Sequence, residues 1–281
     1  MHLVITGPTS GIGAEKVKAL APKFTKIFLL VRDMEKARTL VNKLNSQDKA
    51  DKFILVYCDL ADLASVKKAA AEIAKHTDSV DVLINNAGGI FPEKTTTKDQ
   101  LELTFSANHL GHYLLTLQLM PLLTHNSGAR IINVSSEAHK AASVDLTDLQ
   151  FEKGYSSFKA YANAKLFNIL FTKSLAEKFG DQHIEAYALH PGVVNTNFGQ
   201  QSKGFFKLLL SLFKPFMISP KKGAETGIFL ASVNKVPGKN GDYFKKSKVS
   251  SASKKAESKK LRDQIWDRSE KLVKAITENR A

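Results

Sequence analysis

The sequence predicts an α/β fold with a doubly wound parallel sheet, a single-domain Rossmann arrangement with helices on both faces, and three observations carry this. Short apolar, β-branched runs alternate with longer segments that hold an apolar stripe at helical spacing. The short runs are continuously hydrophobic instead of alternating, as strands buried on both faces are. A glycine-rich turn lies directly between the first such run and the first helical segment.

In order, the strand runs are "LVIT", "KIFLLV", "FILVYC", "DVLINN", "RIINVS" and "IEAYALH". The helical segments between them are "GAEKVKALAPKF", "DMEKARTLVNKL", "DLASVKKAAAEIAKH", "QLELTFSANHLGHYLLTLQLMPLL" and "YANAKLFNILFTKSLAEKF". After about residue 200 the texture changes to "GFFKLLLSLFKPFM", a helical "KKGAETGIFLASV", a Gly- and Lys-rich stretch and a final helix around Trp266. These read as an elaboration at the edge of the same domain. One domain over 1–281 is expected, with a cofactor-binding core over about 1–200 and a substrate loop and C-terminal part over about 201–281.

Composition narrows the function classes. A chain of 281 residues, 43% of them hydrophobic, can bury a full core, which excludes disorder throughout. The formal charge of +14, from 41 Lys and Arg against 27 Asp and Glu, favours anionic partners without naming one. No recognisable reading module accompanies the charge, so nucleic-acid function is not expected. The lone Cys58 rules out an intrachain disulfide framework and reads as a buried strand residue in a reducing compartment. Met1 is followed almost at once by "LVIT", leaving no room for a signal peptide, and no apolar run reaches the roughly 18 residues of a spanning helix. A cytoplasmic location is expected.

Chemistry begins at Thr6–Gly13, "TGPTSGIG". Glycines 7, 11 and 13 let the backbone turn tightly and approach a pyrophosphate, whose charge meets free N–H groups at a helix N-terminus. An ordinary turn is the competing reading. "YANAK" places Tyr161 and Lys165 one helical turn apart, either as a solubility pair or as an acid with the cation that sets its pKa. His109 and His112 in "HLGH" could share a helix face around a metal. No Asp, Glu or Cys completes a ligand set nearby, so ordinary helix positions are expected and no metal site.

Seven motifs then occur in order: "TGPTSGIG", "CDL" at 58–60, "NNAG" at 85–88, Asn108 in "SANHLGHYLLT", Ser136 in "INVSSEAH", "YANAK", and "HPGVVNT" at 190–196. In these, and over nearly its whole length, the chain resembles the short-chain dehydrogenase/reductase family. It is most similar to the retinol dehydrogenase branch. There, as here, a longer insert separates the serine and the tyrosine: 25 positions from Ser136 to Tyr161, containing "DLTDLQFEKGYSSFKAY". "KLFNILFTKSLA", "GDYFKKSK" and "IWDRSEKL" fit the same pattern. Membrane-bound members of the branch carry an anchor helix before the first strand; none is read here, so membrane residence is not expected.

The resemblance implies roles. Asn108, Ser136, Tyr161 and Lys165 form the catalytic set. Tyr161 delivers a proton to the developing alkoxide, Ser136 hydrogen-bonds the substrate oxygen, and Asn108 supports a water linking Lys165 to solvent. A free phenol, with a pKa of about 10, is a poor acid near neutrality, so Lys165 is expected to lower it while also binding the nicotinamide ribose. Ser136 is chosen over Ser135 because the family serine is the second of such a pair. The cofactor site comprises Thr6, Gly7, Ser10, Gly11, Ile12 and Gly13, then Asp59 and Leu60 at the adenine, Asn86, Ala87 and Gly88 under the nicotinamide ribose, and Pro191, Gly192, Val194 and Thr196. His190 reads as a structural strand end.

"LLVRD" offers both Arg32 and Asp33 where the adenosine ribose should lie. An acid there commonly holds the 2′-OH of NAD, and an arginine accommodates the 2′-phosphate of NADP. With Asp33 read as the N-cap of the following helix, NADP(H) is preferred and NAD(H) is the alternative. Segment 204–217 reads as a substrate loop for an apolar alcohol or aldehyde; Lys207 and Lys214 at its border suit a lipid surface, and core packing competes. The basic run 245–262 reads as a solvated face. Together these imply an NADP(H)-dependent oxidoreductase acting on a lipophilic alcohol, aldehyde or ketone. Family precedent implies a homo-oligomer through two long helices. The rivals are a catalytically silent nucleotide sensor or scaffold on the same fold, against which the intact Asn, Ser, Tyr, Lys set argues, and a peripheral membrane or nucleic-acid binder using the basic tail.

Overall fold

A computed structural model describes residues 1–44, 52–125, 128–194 and 217–278. Among them eight strands form one sheet: β1 (His2–Thr6), β2 (Lys26–Val31), β3 (Phe53–Tyr57), β4 (Val82–Asn85), β5 (Ala129–Val134), β6 (Ile184–His190), β7 (Tyr243–Lys245) and β8 (Lys248–Val249). Their spatial order is β3-β2-β1-β4-β5-β6-β7-β8. All neighbours are parallel except the β7–β8 pair. The order reverses between β1 and β4, the place where ligands bind in open α/β sheets. The six runs read as strands all form strands of this sheet.

The helices are α1 (Gly11–Leu20), α2 (Met34–Leu44), α3 (Leu63–Ala74), α4 (Leu103–Phe105), α5 (Gly111–Gln118), α6 (Met120–Leu123), α7 (Ser157–Phe179), α8 (Pro220–Ser232) and α9 (Lys259–Glu278). Successive strand residues serve opposite layers. Leu3 and Ile5 pack with Val17, Leu20 and Leu230, whereas Val4 packs with Val66, Leu115 and Leu170. This two-sided burial is why the strand runs are continuously apolar.

Local chemistry sets the helix starts. The Asp62 carboxylate accepts from the amides of Ala64 and Ser65 and caps α3. Asp33 accepts from the Lys36 amide at 3.0 Å, directly before α2. The long segment read as one helix over 100–123 is instead α4, a π-helical stretch at Ser106–Leu110, α5 and α6. α5 lies so close to the loop after β3 that a Cβ on Gly111 would stand 2.4 Å from the Leu60 carbonyl oxygen. α7 is buried around most of its circumference from Ala160 to Leu175, because β5, β6 and α9 all pack against it.

Residues 245–262, read as a solvated face, begin at the end of β7 and continue through β8 into α9. Several of their cations are paired: Lys245 with Glu137 at 3.0 Å, Lys259 with Asp263 at 2.8 Å, and Arg262 with Glu177. No helix among the described residues is long and apolar enough to cross a membrane. Segment 204–216 and Thr196 lie outside the described residues.

α9 is joined to the body by Trp266. Its ring meets Tyr113 edge-on at 5.1 Å and Phe171 at 5.9 Å, with the Lys178 ammonium 4.9 Å from its centroid. Replacing Trp266 by Ala is expected to cost about 3–5 kcal/mol, the range for emptying a buried aromatic site. The midpoint of urea unfolding measures it; an unchanged midpoint would show that α9 is not part of the core.

Candidate active site

The carboxyl ends of β1, β4, β5 and β6 face one region, and Thr6 organises its floor. The Thr6 hydroxyl oxygen accepts from the amides of Asn86 and Ala87, both at 2.9 Å, and lies 2.9 Å from His112 Nε2. Two lone pairs are thus filled, and the single hydroxyl hydrogen goes to Nε2. This assigns the His112 proton to Nδ1, which donates to the Asn108 carbonyl at 3.3 Å. Burial and the nearby Lys165 push the His112 pKa down to about 3, so the ring is neutral. His109 is likewise buried and hydrogen-bonded, to Asn168 and Ser269.

The glycine loop is built for close backbone approach. Gly7 and Gly11 have φ of +62° and +53°, and a Cβ on Gly13 would sit 2.0 Å from the Gly7 carbonyl oxygen. Ser10 stands at the start of α1 with no side-chain cap bond, so the first amides of that helix are not taken by its hydroxyl. Asn86 holds the loop from beneath, donating to the carbonyls of Thr6 at 2.9 Å and Gly7 at 3.1 Å. Ile12, Val194 and the Pro191 carbonyl all approach Gly223 of α8, which brings the end of β6 against the glycine loop. Gly192 has φ +96°, in the region that favours glycine.

After β3, Asp59 accepts from the Ala61 amide at 3.0 Å, and Leu60 is buried against α5. Arg32 is exposed at the end of β2, while Asp33 is engaged by the Lys36 amide and, at 3.1 Å, by the Lys36 ammonium. The bonds from Lys36 hold the Asp33 carboxyl below its usual range. These features fit a dinucleotide: a glycine cradle that a Cβ would fill, helix amides left open, and a cation beside a carboxylate already committed to capping.

The chemistry-bearing side chains meet at the ends of β5 and α7. Ser136 is hydrogen-bonded to the Tyr161 phenol. Lys165 Nζ lies 5.5 Å from the Tyr161 ring centroid and donates to the Val134 carbonyl at 2.9 Å. Ser135 donates to the Lys165 carbonyl at 2.7 Å, a packing role that leaves Ser136 as the serine facing Tyr161. The Asn108 amide bridges Gly89, donating to its carbonyl at 2.7 Å and accepting from its amide at 2.9 Å. A Cβ on Gly88 would be 3.2 Å from Lys165 Nζ and 3.3 Å from Asn108 Oδ1, so Gly88 leaves the space in which these two converge.

The residues behind Ser136 fix its position. The Ser136 carbonyl accepts from His139 Nδ1 at 2.7 Å, and His139 Nε2 accepts from the Ser253 amide. Glu137 accepts from Tyr243, Lys140 and Lys245. Burial alone would raise its pKa, but these bonds outweigh it and bring the carboxyl down to about 2. His190 accepts the Glu137 amide, as a structural strand end would.

One expectation is corrected. The Tyr161 pKa is not lowered overall, despite the cation one turn away: burial dominates and pushes the phenol up to about 12, with the Ser136 bond acting the other way. The same burial brings Lys165 down to about 8. Helical spacing carries no measure of desolvation, which here favours the neutral form of both groups.

Lys16 had no part in the sequence reading. It is fully buried in α1 and donates to Asn86 Oδ1 at 2.9 Å. The signal was available, since Lys16 falls on the apolar stripe with Gly13, Val17 and Leu20.

Comparison with known proteins agrees with this geometry. The short chain dehydrogenase family model matches residues 1–204. Mouse retinol dehydrogenase 12 is 34% identical over 271 residues, covering 96% of this chain and 85% of that protein. Human retinol dehydrogenase 13 is 34% identical over 277 residues, covering 96% and 84%. The crystal structure of an uncharacterized protein from Mycobacterium Paratuberculosis superposes with a TM-score of 0.77 at 29% identity, covering 97% of this chain and 93% of that one. With its glycine loop, parallel sheet and Ser136–Tyr161–Lys165 cluster, the chain belongs to the short-chain dehydrogenase family of NAD(P)-dependent oxidoreductases and is related to the retinol dehydrogenases.

Proposed function

We propose that the protein is an NADP(H)-dependent oxidoreductase that interconverts a lipophilic alcohol with its aldehyde or ketone. The observation that carries this reading is the convergence of Ser136, Tyr161 and Lys165 beside the glycine-loop floor. The names of the related retinol dehydrogenases support a lipophilic alcohol as the substrate class. Exposed Arg32, beside an Asp33 committed to capping, supports NADP(H) over NAD(H).

The cofactor would be held by Thr6, Gly7, Ser10, Gly11, Ile12 and Gly13 at its pyrophosphate, by Arg32, Asp59 and Leu60 at its adenosine, and by Asn86, Ala87, Gly88, Tyr161, Lys165, Pro191, Gly192 and Val194 at its nicotinamide half. When bound, the nicotinamide supplies or accepts the hydride at the carbonyl carbon.

In the reducing direction Tyr161 gives its proton to the forming alkoxide while Ser136 holds the same oxygen. Burial keeps the phenol protonated across the neutral range, as a donor must be. The phenolate left behind lies near Lys165, and a charged ammonium there lowers the cost of forming it. Asn108, pinned across Gly89, keeps its helix against the loop that borders Lys165.

Purified protein is expected to consume NADPH with retinal, medium-chain aldehydes or aromatic ketones. Tyr161→Phe should lower kcat by about 10²–10⁴-fold while still binding NADPH. Equal NADPH binding by both proteins without turnover of any carbonyl would instead favour the sensor or scaffold.

Lys165 is the charged partner of the developing phenolate and loses its proton as pH rises through about 8. kcat/KM for NADPH, which reports the free protein, should therefore be level below about pH 7 and fall above 8; a profile flat to pH 10 would remove this role. Arg32→Ala should raise the KM for NADPH about tenfold and leave that for NADH unchanged, since only NADPH carries the 2′-phosphate. Parallel changes for both would place Arg32 away from that phosphate.

A further inference from the structure

Lys16 is a buried ionisable side chain that the proposed reaction leaves unused. Its one hydrogen-bond partner among the described residues is the neutral Asn86 amide, at 2.9 Å. α8 accommodates it: a Cβ on Gly227 would stand 2.5 Å from Lys16 Cε and 3.1 Å from Nζ. Asn86 in turn grips the Thr6 and Gly7 carbonyls, so the amine sits one side chain behind the glycine loop.

The surrounding charges do not balance it. Lys165 from α7 is a like charge, and His112 from α5, joined to Asn86 through Thr6, is neutral. Glu15 on α1 pairs with Lys18, and Glu225 on α8 pairs with Lys222, while Lys221 is exposed. The ends of β1 and β4 present only Thr6, Gly7, Asn86 and Ala87. The carboxylates buried elsewhere among the described residues, Asp99 and Glu102, bind the amides of Leu63 and of Thr104 and Phe105. An ammonium has three donors, and here one neutral acceptor is provided. Burial, then Lys165, lower the Lys16 pKa to about 7.

We propose that Lys16 is a buried counter-charge for the dinucleotide, a positioning residue that takes up a proton as the pyrophosphate settles on the glycine loop and transmits the attraction through Asn86. This rests on the dinucleotide reading above. An amine that is mostly neutral in the free protein above pH 7 and charged in the complex makes affinity fall as pH rises, by up to about tenfold per pH unit.

The test is calorimetric titration with NADPH at pH 8.5 in buffers of differing ionisation enthalpy, comparing wild type with Lys16→Met. Wild type should take up about half to one proton more than the variant. At pH 7 the variant should bind about tenfold more weakly. Lys165 is present in both proteins, so the difference reports Lys16 together with its coupling to Lys165.

Thermal melts of the ligand-free proteins give a second readout. A base whose pKa is lowered on folding destabilises the fold fully below the folded value, and the penalty fades as pH rises towards the unfolded one. Lys16→Met should therefore melt higher than wild type at pH 7, with the gap closing by pH 10. Equal proton uptake and equal affinity in the two proteins would overturn the counter-charge alone, as would a variant that melts lower at pH 7. Failure of NADPH and NADH to bind either protein would overturn the functional reading and the counter-charge with it.

Discussion

The Thr6 hydroxyl is the junction through which three separate parts of the chain reach the site. It ends β1, accepts from the two amides that follow β4, and donates to a histidine of α5. A hydroxyl offers one hydrogen and two lone pairs, and here all three are engaged among buried groups. A side chain lacking that oxygen would leave two amides and a ring nitrogen with no partner, each a cost of about 1–3 kcal/mol. The junction also sets what lies beyond it. Because Thr6 donates to Nε2, His112 holds its proton on Nδ1 and anchors the Asn108 carbonyl, while the Asn108 side chain clasps Gly89. A continuous set of bonds thus runs from the glycine loop to the space beside Lys165. It also accounts for His112 without any metal, since both of its ring nitrogens are spoken for.

Much of the sheet was legible because burial on both faces leaves continuous apolar runs that are too short for helices. Val4 and Ile5 serve opposite cores, and so do the apolar residues Ile27–Val31 of β2 and Ala186–Leu189 of β6. β7 was not legible. Three residues in a Gly- and Lys-rich setting are too few to show a period, and its place depends on contacts remote in sequence: the Ala188 amide on the Asp242 carbonyl, and the Phe244 ring edge-on to Tyr187 at 5.5 Å. The π-helical stretch at Ser106–Leu110 was hidden for a related reason, since side-chain periodicity does not distinguish it from the helices on either side.

The candidate site divides along the same line. The candidate residues come from motif order, and the structure places Ser136 against Tyr161 and Tyr161 near Lys165. Protonation was not readable. Spacing alone suggested that a cation one turn away would acidify Tyr161, but desolvation outweighs a neighbour that is itself losing its charge to burial. The two shifts are compatible with proton donation. A phenol kept neutral retains the proton that the proposed reaction would draw on, and an ammonium charged at pH 7 would be in place as the phenolate formed.

The charge that bears on function is not the charge that composition advertises. A net +14 invites thought of lipid or nucleic acid, yet Lys245, Lys259 and Arg262 of the basic run are tied to Glu137, Asp263 and Glu177. Exposed pairs of this kind contribute about 0–1 kcal/mol and are screened within roughly 8–10 Å by salt. Lys16 and Lys165 are different: both are buried, each depressed by desolvation, and Lys16 further by Lys165. Little salt reaches them, and no buried carboxylate among the described residues faces them. Two amines buried near one loop give up their charge more readily than surface lysines do, and a bound anion would favour the charged form again, which sets the floor of the glycine loop apart from the surface lysines.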